Sequence, residues 1–524
     1  MHRVRIVLIL FCFVFLSHFY SGQAASEDKS SSSRTILISF DGAQPEVIER
    51  LIRKGKLPWH GGFATLIREG TKAEGMTAVL PTVTATNHIS IATGAYPERT
   101  NIPANTLHDT ETSLTATTSG FAAPIDAETL WEAVKKQGKK VVTIAFAGAD
   151  GRGDDRSGDQ TLGFGVVDAF SVVKSMNASH FDSPSADAWN LGNQTCEFKK
   201  ANIGTVTANQ VFFSSTNLGR VDVNVLVCDS VFDDQERYDT AFFDFDKDLG
   251  NGFIARMRQG DWAPFALPLT VPPDAISGQA QGVVGSWVKL LVFAPELSTF
   301  NIYLGNVVHN VGYPQIFIEQ IDKTVSFWPA EPDFFHLERA LIDEATYMEQ
   351  LERLADYLND AMLLAIKNYE FDLMMGYQVQ TDEASHEFSL VDPRQQSFQD
   401  SAKRQRYAEY LERAYQIADH NLKKITEAAN LKSTNIIAVS DHGMAPMHTV
   451  AFPNRILRAA ELVSVTSTGA VDPATSMTNA VTEVVLPIFI SICRDGNRPV
   501  SCLWSSTKIC RRRLKKSSRP SGIR

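Results

Sequence analysis

Three short apolar runs, each ending on residues that bind cations or move protons, constrain this 524-residue chain more than any other feature. Thr35-Ile36-Leu37-Ile38-Ser39-Phe40 runs into Asp41-Gly42. Phe371 to Gly376 leads to Tyr377-Gln378-Val379-Gln380-Thr381-Asp382, with His386 four residues further on. Asn435-Ile436-Ile437-Ala438-Val439-Ser440 runs into Asp441-His442-Gly443. Each reads as a strand, and an open α/β sheet places its ligands beyond the C-terminal ends of its strands. Mixed Asp and His ligation suits zinc, with positions left open for a substrate.

Between the first two runs lies Pro81-Thr82-Val83-Thr84-Ala85-Thr86-Asn87-His88, followed by the helix-like Ile89 to Thr93. A hydroxyl at Thr84, among small and polar residues where a loop enters a helix, has the layout of an exposed nucleophile. Threonine before a helix is also a common N-cap, and propensity alone favours that plainer role. The carboxylates and imidazoles around it in the sequence tip the reading toward chemistry.

The length exceeds what one core usually holds, so one large domain with an insertion, or two domains, is expected. A net charge of -10, with 21% charged and 44% hydrophobic residues, is ordinary for a soluble globular protein and gives no pull toward nucleic acid as a stable partner. Residues 1–25 carry Arg3 and Arg5, an apolar run from Ile6 to Leu16 and then small residues, which reads as a cleaved secretory signal too short to span a bilayer comfortably. No stable membrane span is expected after cleavage, and the location is secreted, periplasmic or otherwise extracellular. Export implies an oxidising compartment, where Cys196 and Cys228 can pair. Asn177 and Asn193 head glycosylation sequons.

Residues 26–33 form a Ser-rich linker. Helices are expected at 45–55, 127–137, 336–366 and 403–429, and a strand at 141–146. From 151 to 334 glycine, serine and aspartate rise and short alternating runs appear, so this stretch reads as a β-rich insertion or cap. Residues 34–150 and 335–480 then make up the catalytic domain. Asp244-Phe245-Asp246-Lys247-Asp248 imitates a calcium loop but lacks glycine at the sixth position and glutamate at the twelfth, so it reads as a solvated acidic turn.

The motifs together are specific. Ser39-Phe40-Asp41-Gly42, the Pro-Thr-x-Thr-x-x-Asn-His block, Thr93-Gly94-Ala95-Tyr96-Pro97-Glu98, Leu130-Trp131-Glu132, Asp382-x-x-x-His386 and Ser440-Asp441-His442-Gly443 resemble, in order and spacing, the nucleotide pyrophosphatase/phosphodiesterase family. That family is the type I phosphodiesterase branch of the alkaline phosphatase superfamily. The resemblance covers about residues 34 to 150 and 335 to 450. It implies an α/β fold, an alkaline-phosphatase-like, mostly parallel sheet with helices on both faces. It also implies two Zn2+ ions, with Asp41, Thr84, Asp441 and His442 matching the ligands of one and Asp382 and His386 two ligands of the other. Thr84 matches the nucleophile, and Asn105 matches an asparagine that holds a phosphoryl oxygen.

The chain departs from the pattern at one place. The family's second zinc takes a further histidine well beyond the Asp-His-Gly motif, whereas the only histidine after His442 is His448, six residues away. Residues 481–524, with three cysteines and a basic run from Arg511 to Arg519, read as an atypical basic tail, out of frame or truncated. Three functions are carried forward: a phosphodiesterase or nucleotide pyrophosphatase acting on a small molecule, a phosphomonoesterase or phosphonate hydrolase of the same superfamily, and an inactive truncated form that binds a partner.

Overall fold

The computed structural model describes residues 34–108, 113, 115–181, 189–194, 205–206, 212–215, 218–231, 237–271, 279–482, 487–495 and 498–503, all within the unit Ser33–Arg524. The expected signal peptide and linker lie outside the described residues, as does Cys196; Cys228 is disulfide-bonded. Asn177 and Asn193 are both exposed. No described helix is long and apolar enough to cross a membrane.

Seven strands form the central sheet: β1 (Arg34–Phe40), β2 (Val141–Ile144), β3 (Gln160–Leu162), β4 (Ala280–Gln281), β5 (Val311–Tyr313), β6 (Leu373–Gln378) and β7 (Thr434–Val439). Their order across the sheet is β4-β5-β3-β2-β6-β1-β7. The pairings from β3 to β7 are parallel, and β5 and β4 add antiparallel at the other end. Successive side chains of a strand point to opposite faces. Accordingly Ile36, Ile38 and Phe40 join one core and Leu37 another, and Met374 and Met375 divide in the same way.

The larger core is covered by α1 (Pro45–Arg53) and α2 (Gly62–Glu69), and the smaller by α3 (Thr84–Thr93) and α4 (Leu130–Lys135). Further along the chain, α5 (Gln315–Thr324), α6 (Glu344–Asn368) and α8 (Ser401–Ala428) return to the larger core, while α7 (Gln380–Phe388) follows β6. Gly376 lets α6 press onto β6, since a Cβ there would lie 2.2 Å from the Met362 sulfur. Asp343 caps α6 through the Thr346 N–H (2.7 Å), and Asp400 caps α8 through the Lys403 N–H (2.9 Å). The helix expected from residue 336 therefore begins later: Phe334–Glu338 is a separate short helix, and Ala340, at φ 54°, breaks the chain before the Asp343 cap.

The stretch 151–334 is not one body outside the sheet. β3, β4, β5 and α5 all fall within it and belong to the central layer. Between them, Val166–Ala169, Val172–Met176, Trp262–Ala266, Gly285–Phe293, Phe300–Leu304 and Val307–His309 form a separate six-stranded antiparallel sheet. It is fastened to α6: the Trp262 Nε1–H donates to Glu349 (2.7 Å), and the Arg353 guanidinium lies over the Trp262 and Trp287 rings at 4.2 and 4.4 Å. The acidic turn Asp244–Asp248 satisfies its own backbone, with the Asp248 N–H donating to Asp244 and Asp246. At the far end of the central sheet β7 pairs with β1 alone among the described residues, and Ile437 is 42% exposed.

Asp419 on α8, 2% exposed, accepts the Phe63 N–H (2.9 Å) at the start of α2. Burial pushes its carboxyl up to about 6, against that hydrogen bond and Lys423. A folded-state pKa above the unfolded one means the fold holds the proton more tightly. The associated stability is full below the unfolded pKa, about 4, and lost as pH rises through about 6. Asp419→Asn keeps an oxygen acceptor, so it is expected to be near neutral at pH 4 and stabilising by on the order of 2–3 kcal/mol at pH 8. Thermal melts at both pH values check this, and a difference that does not grow with pH would count against it.

Candidate active site

Asp41 stands where β1 runs out. Its N–H donates to the Gln378 carbonyl at the end of β6 (2.9 Å), and its own carbonyl accepts the Thr381 hydroxyl. The Tyr377 hydroxyl donates to Asp41 Oδ2 (2.6 Å), which leaves Oδ1 buried without a hydrogen-bond partner. Gly42 then turns the chain at φ 63°, and its N–H donates to Asp441 Oδ1 (3.3 Å). Because β6 and β7 flank β1, the three distant apolar runs deliver their carboxylates to one point.

One ligand atom each from Asp41, Asp382 and His442 lie within 4.8 Å of one another, as do atoms from Asp41, His88 and Asp441. His442 Nε2 is 3.4 Å from Asp41 Oδ1 and 3.1 Å from Asp441 Oδ2. Its Nδ1 is 3.1 Å from the Gly443 carbonyl, which can only accept, so Nδ1 carries a hydrogen while Nε2 faces the carboxylates. Burial, then the charges of Asp441 and Asp382, hold the Asp41 carboxyl well above the usual carboxylate range. Asp441 is shifted the other way, because His88 and then His442 outweigh the cost of its burial.

Asp382 and His386 stand one turn apart on α7, 3.3 Å between Nε2 and Oδ2, and Asp382 Oδ1 is buried without a partner. Glu383 beside them is held well above the glutamate range by desolvation, then by Glu331 and Asp382. Buried carboxylate oxygens left without hydrogen-bond partners beside imidazole nitrogens fit a cation, since Asp and His donors are the hard-to-borderline set that divalent metals take. His448 is not brought to this place; it is exposed, with Nδ1 2.8 Å from the Thr449 hydroxyl. Among the described residues no second histidine joins Asp382 and His386 in a group that could hold a metal.

Thr84 is the first residue of α3, and the N-cap is Val83, which offers no side-chain cap. Its hydroxyl is thus free of capping duty, and Oγ1 lies 3.4 Å from His442 Nε2. Asn105 Oδ1 accepts the N–H of Ala85 (2.8 Å), which sets its amide beside Thr84. Asn87 fixes the approach to the helix, accepting from the Val79 N–H (2.8 Å) and donating to the carbonyls of Pro81 (3.1 Å) and Val83 (3.0 Å).

Sequence reasoning gave no role to His88, Tyr377 or Gly42. His88 is fully buried, and Nδ1 lies 2.9 Å from the Thr84 carbonyl and 3.2 Å from Asp441 Oδ2, so one imidazole braces both the helix start and a carboxylate. Burial alone would lower its pKa, but the charge of Asp441 and the hydrogen bonds to Asp441 and Thr84 raise it. Its spacing of four from Thr84, one helical turn, was the available signal. Tyr377 carried none, since it extends an apolar run.

Residues 35–229 and 299–488, well over half of the chain, match the profile described as Type I phosphodiesterase / nucleotide pyrophosphatase. A bis(5'-adenosyl)-triphosphatase of Xenopus laevis is 27% identical over 150 residues, 28% of this chain and 30% of that protein. The mouse (Mus musculus) bis(5'-adenosyl)-triphosphatase is 32% identical over 114 residues, 21% of this chain and 24% of its own length. Venom phosphodiesterase 2 of Crotalus adamanteus is 36% identical over 85 residues, 16% of this chain and 10% of the venom protein. The matched stretches therefore span less than a third of each relative. On the extent of the profile match, the chain belongs to the type I phosphodiesterase/nucleotide pyrophosphatase family.

Proposed function

We propose that this chain is an exported, zinc-dependent hydrolase, built on an alkaline-phosphatase-like sheet, that cleaves a small phosphodiester or nucleotide pyrophosphate through a threonyl-phosphoryl intermediate. The observation that carries the reading is the Thr84 hydroxyl, unused as a cap and facing His442 beside Asp41, Asp441 and Asp382. Asp41, Asp441, His442 and Thr84 would hold one Zn2+, and Asp382 and His386 a second. When bound, such ions supply positive charge that lowers the pKa of a coordinated hydroxyl and offsets charge on phosphoryl oxygens.

The residues themselves divide the work. Thr84 Oγ1 gives its proton to solvent and forms the bond to phosphorus as the bond to the leaving oxygen breaks, the leaving oxygen taking a proton from solvent. Water then cleaves the phosphothreonine, its oxygen going to phosphorus and one of its hydrogens to Thr84 Oγ1. A nucleotide substrate would release a nucleoside monophosphate and its other half. Asn105, held by the Ala85 N–H, has side-chain N–H groups to offer a nonbridging oxygen as charge develops there. His88 and Tyr377 position Asp441 and Asp41 from behind.

The test compares bis(p-nitrophenyl) phosphate with p-nitrophenyl phosphate on the zinc-supplied protein, with and without a chelator. A diester preference that the chelator abolishes is expected. A monoester preference would move the assignment to the phosphomonoesterase or phosphonate hydrolase reading. One observation favours the binding-protein reading, namely that among the described residues no second histidine joins Asp382 and His386. Turnover of neither compound, with fewer than two zinc ions bound per chain, would establish it.

A further inference from the structure

Three amide side chains from three elements meet at the base of α7, with a fourth, Asn359, one helical turn from the carbonyl they reach, and none belongs to the chemistry assigned above. Gln378 ends β6, Gln380 begins α7, Asn359 lies on α6 and Asn421 on α8; each is at most 1% exposed. Gln380 Nε2 donates to Gln378 Oε1 (3.0 Å), and Asn421 Nδ2 reaches the same oxygen (3.5 Å). Gln378 Nε2 donates to the Ala355 carbonyl (3.4 Å), one helical turn before Asn359. Three atoms remain, fully buried and unpartnered: the acceptors Gln380 Oε1 and Asn421 Oδ1 and the donor Asn359 Nδ2.

Two acceptors and one donor are what a single water molecule complements, giving two hydrogens and taking one, and three hydrogen bonds is the usual complement of a buried water. Native interiors rarely leave such groups unmet. The location also matters. The N-cap position of α7, Val379, offers no side-chain cap, so the first turn of the helix that carries Asp382 and His386 relies on other restraints. Those restraints are Thr381 on the Asp41 carbonyl and the Gln380 amide in this cluster. The Gln378 carbonyl that receives the Asp41 N–H belongs to the same residue whose side chain centres the cluster.

We infer that Asn359, Gln380 and Asn421 bind one ordered water and that this amide–water cluster is a positioning device, fixing α7 so that Asp382 and His386 stand at their distance from Asp41. The inference rests on the proposed metal role of Asp382 and His386 only for its effect on affinity. Two near-isosteric changes remove the polar atoms, Asn421→Leu and Gln380→Met.

The experiment combines a high-resolution crystal structure of the wild-type chain and of each variant with calorimetric zinc titration of all three after chelation. Expected are a water bonded to all three atoms in the wild type, its loss in both variants with displacement of Asp382, and zinc binding weaker by about 10–100-fold at one position. Melting temperatures close to wild type would accompany this, which separates positioning from a general loss of fold. A dry pocket in the wild type, or variants with Asp382 unmoved, would overturn the inference. If the wild type binds no zinc, the metal assignment fails while the water and the position of Asp382 still decide the cluster. If both variants fail to fold, the wild-type pocket alone decides.

Discussion

Thr84→Ala is expected to lower diester turnover by on the order of 10^4-fold or more, the scale seen when a covalent nucleophile is removed, while the protein melts near the wild-type temperature. The second half follows because this side chain caps no helix and its hydroxyl has only the 3.4 Å approach to His442. Thr84→Ser restores the oxygen and should recover most of the activity. Rates for the three proteins on bis(p-nitrophenyl) phosphate, beside melting curves, test the pair of statements. More than a tenth of wild-type turnover in Thr84→Ala would remove Thr84 from the role of nucleophile.

Gly42→Ala is expected to act on fold and site together. At φ 63° any L side chain is strained, by about 1–3 kcal/mol. The new Cβ would also lie 2.9 Å from Asp382 Oδ1 and 3.0 Å from the Asp382 Cα, and backbone cannot swing aside as a flexible side chain can. Asp382 and the start of α7 must move away from Asp41. The expected result is a melting temperature lower by several degrees and the loss of zinc from the position held by Asp382 and His386. Measuring zinc per chain by mass spectrometry and melting by calorimetry checks both. Full zinc content with an unchanged melt would show that the close packing of Gly42 on Asp382 does not matter.

What could be read in advance follows from how each feature is encoded. β1, β6 and β7 are continuous apolar runs, so they announced themselves, and the residues just past their ends are where parallel strands place ligands. Asp41, Asp382, Asp441 and His442 converge for that reason. β3 and β5 are three residues each and become strands only through their neighbours, too short for any period to show. Their absence from the sequence reading is why 151–334 looked like one insertion. The start of α6 was misplaced because the apolar period continues through Phe334–Glu338, and only a positive φ at Ala340 separates the two helices. The amide cluster had no signature at all, since Gln378, Gln380 and Asn421 meet only in three dimensions.

The position of β7 has a kinetic consequence. The strand that delivers Asp441 and His442 is hydrogen-bonded to β1 on one side only among the described residues, and segments with few partners open first. Opening of β7 breaks the Gly42–Asp441 contact and separates two donors from Asp41 at once, so the lifetime of an ion held there is tied to the fraying rate of a sheet edge. A bound ion in turn favours the closed state by mass action. Amide hydrogen exchange along Ile436 to Val439 would then slow with zinc concentration, reporting occupancy of the site without any substrate.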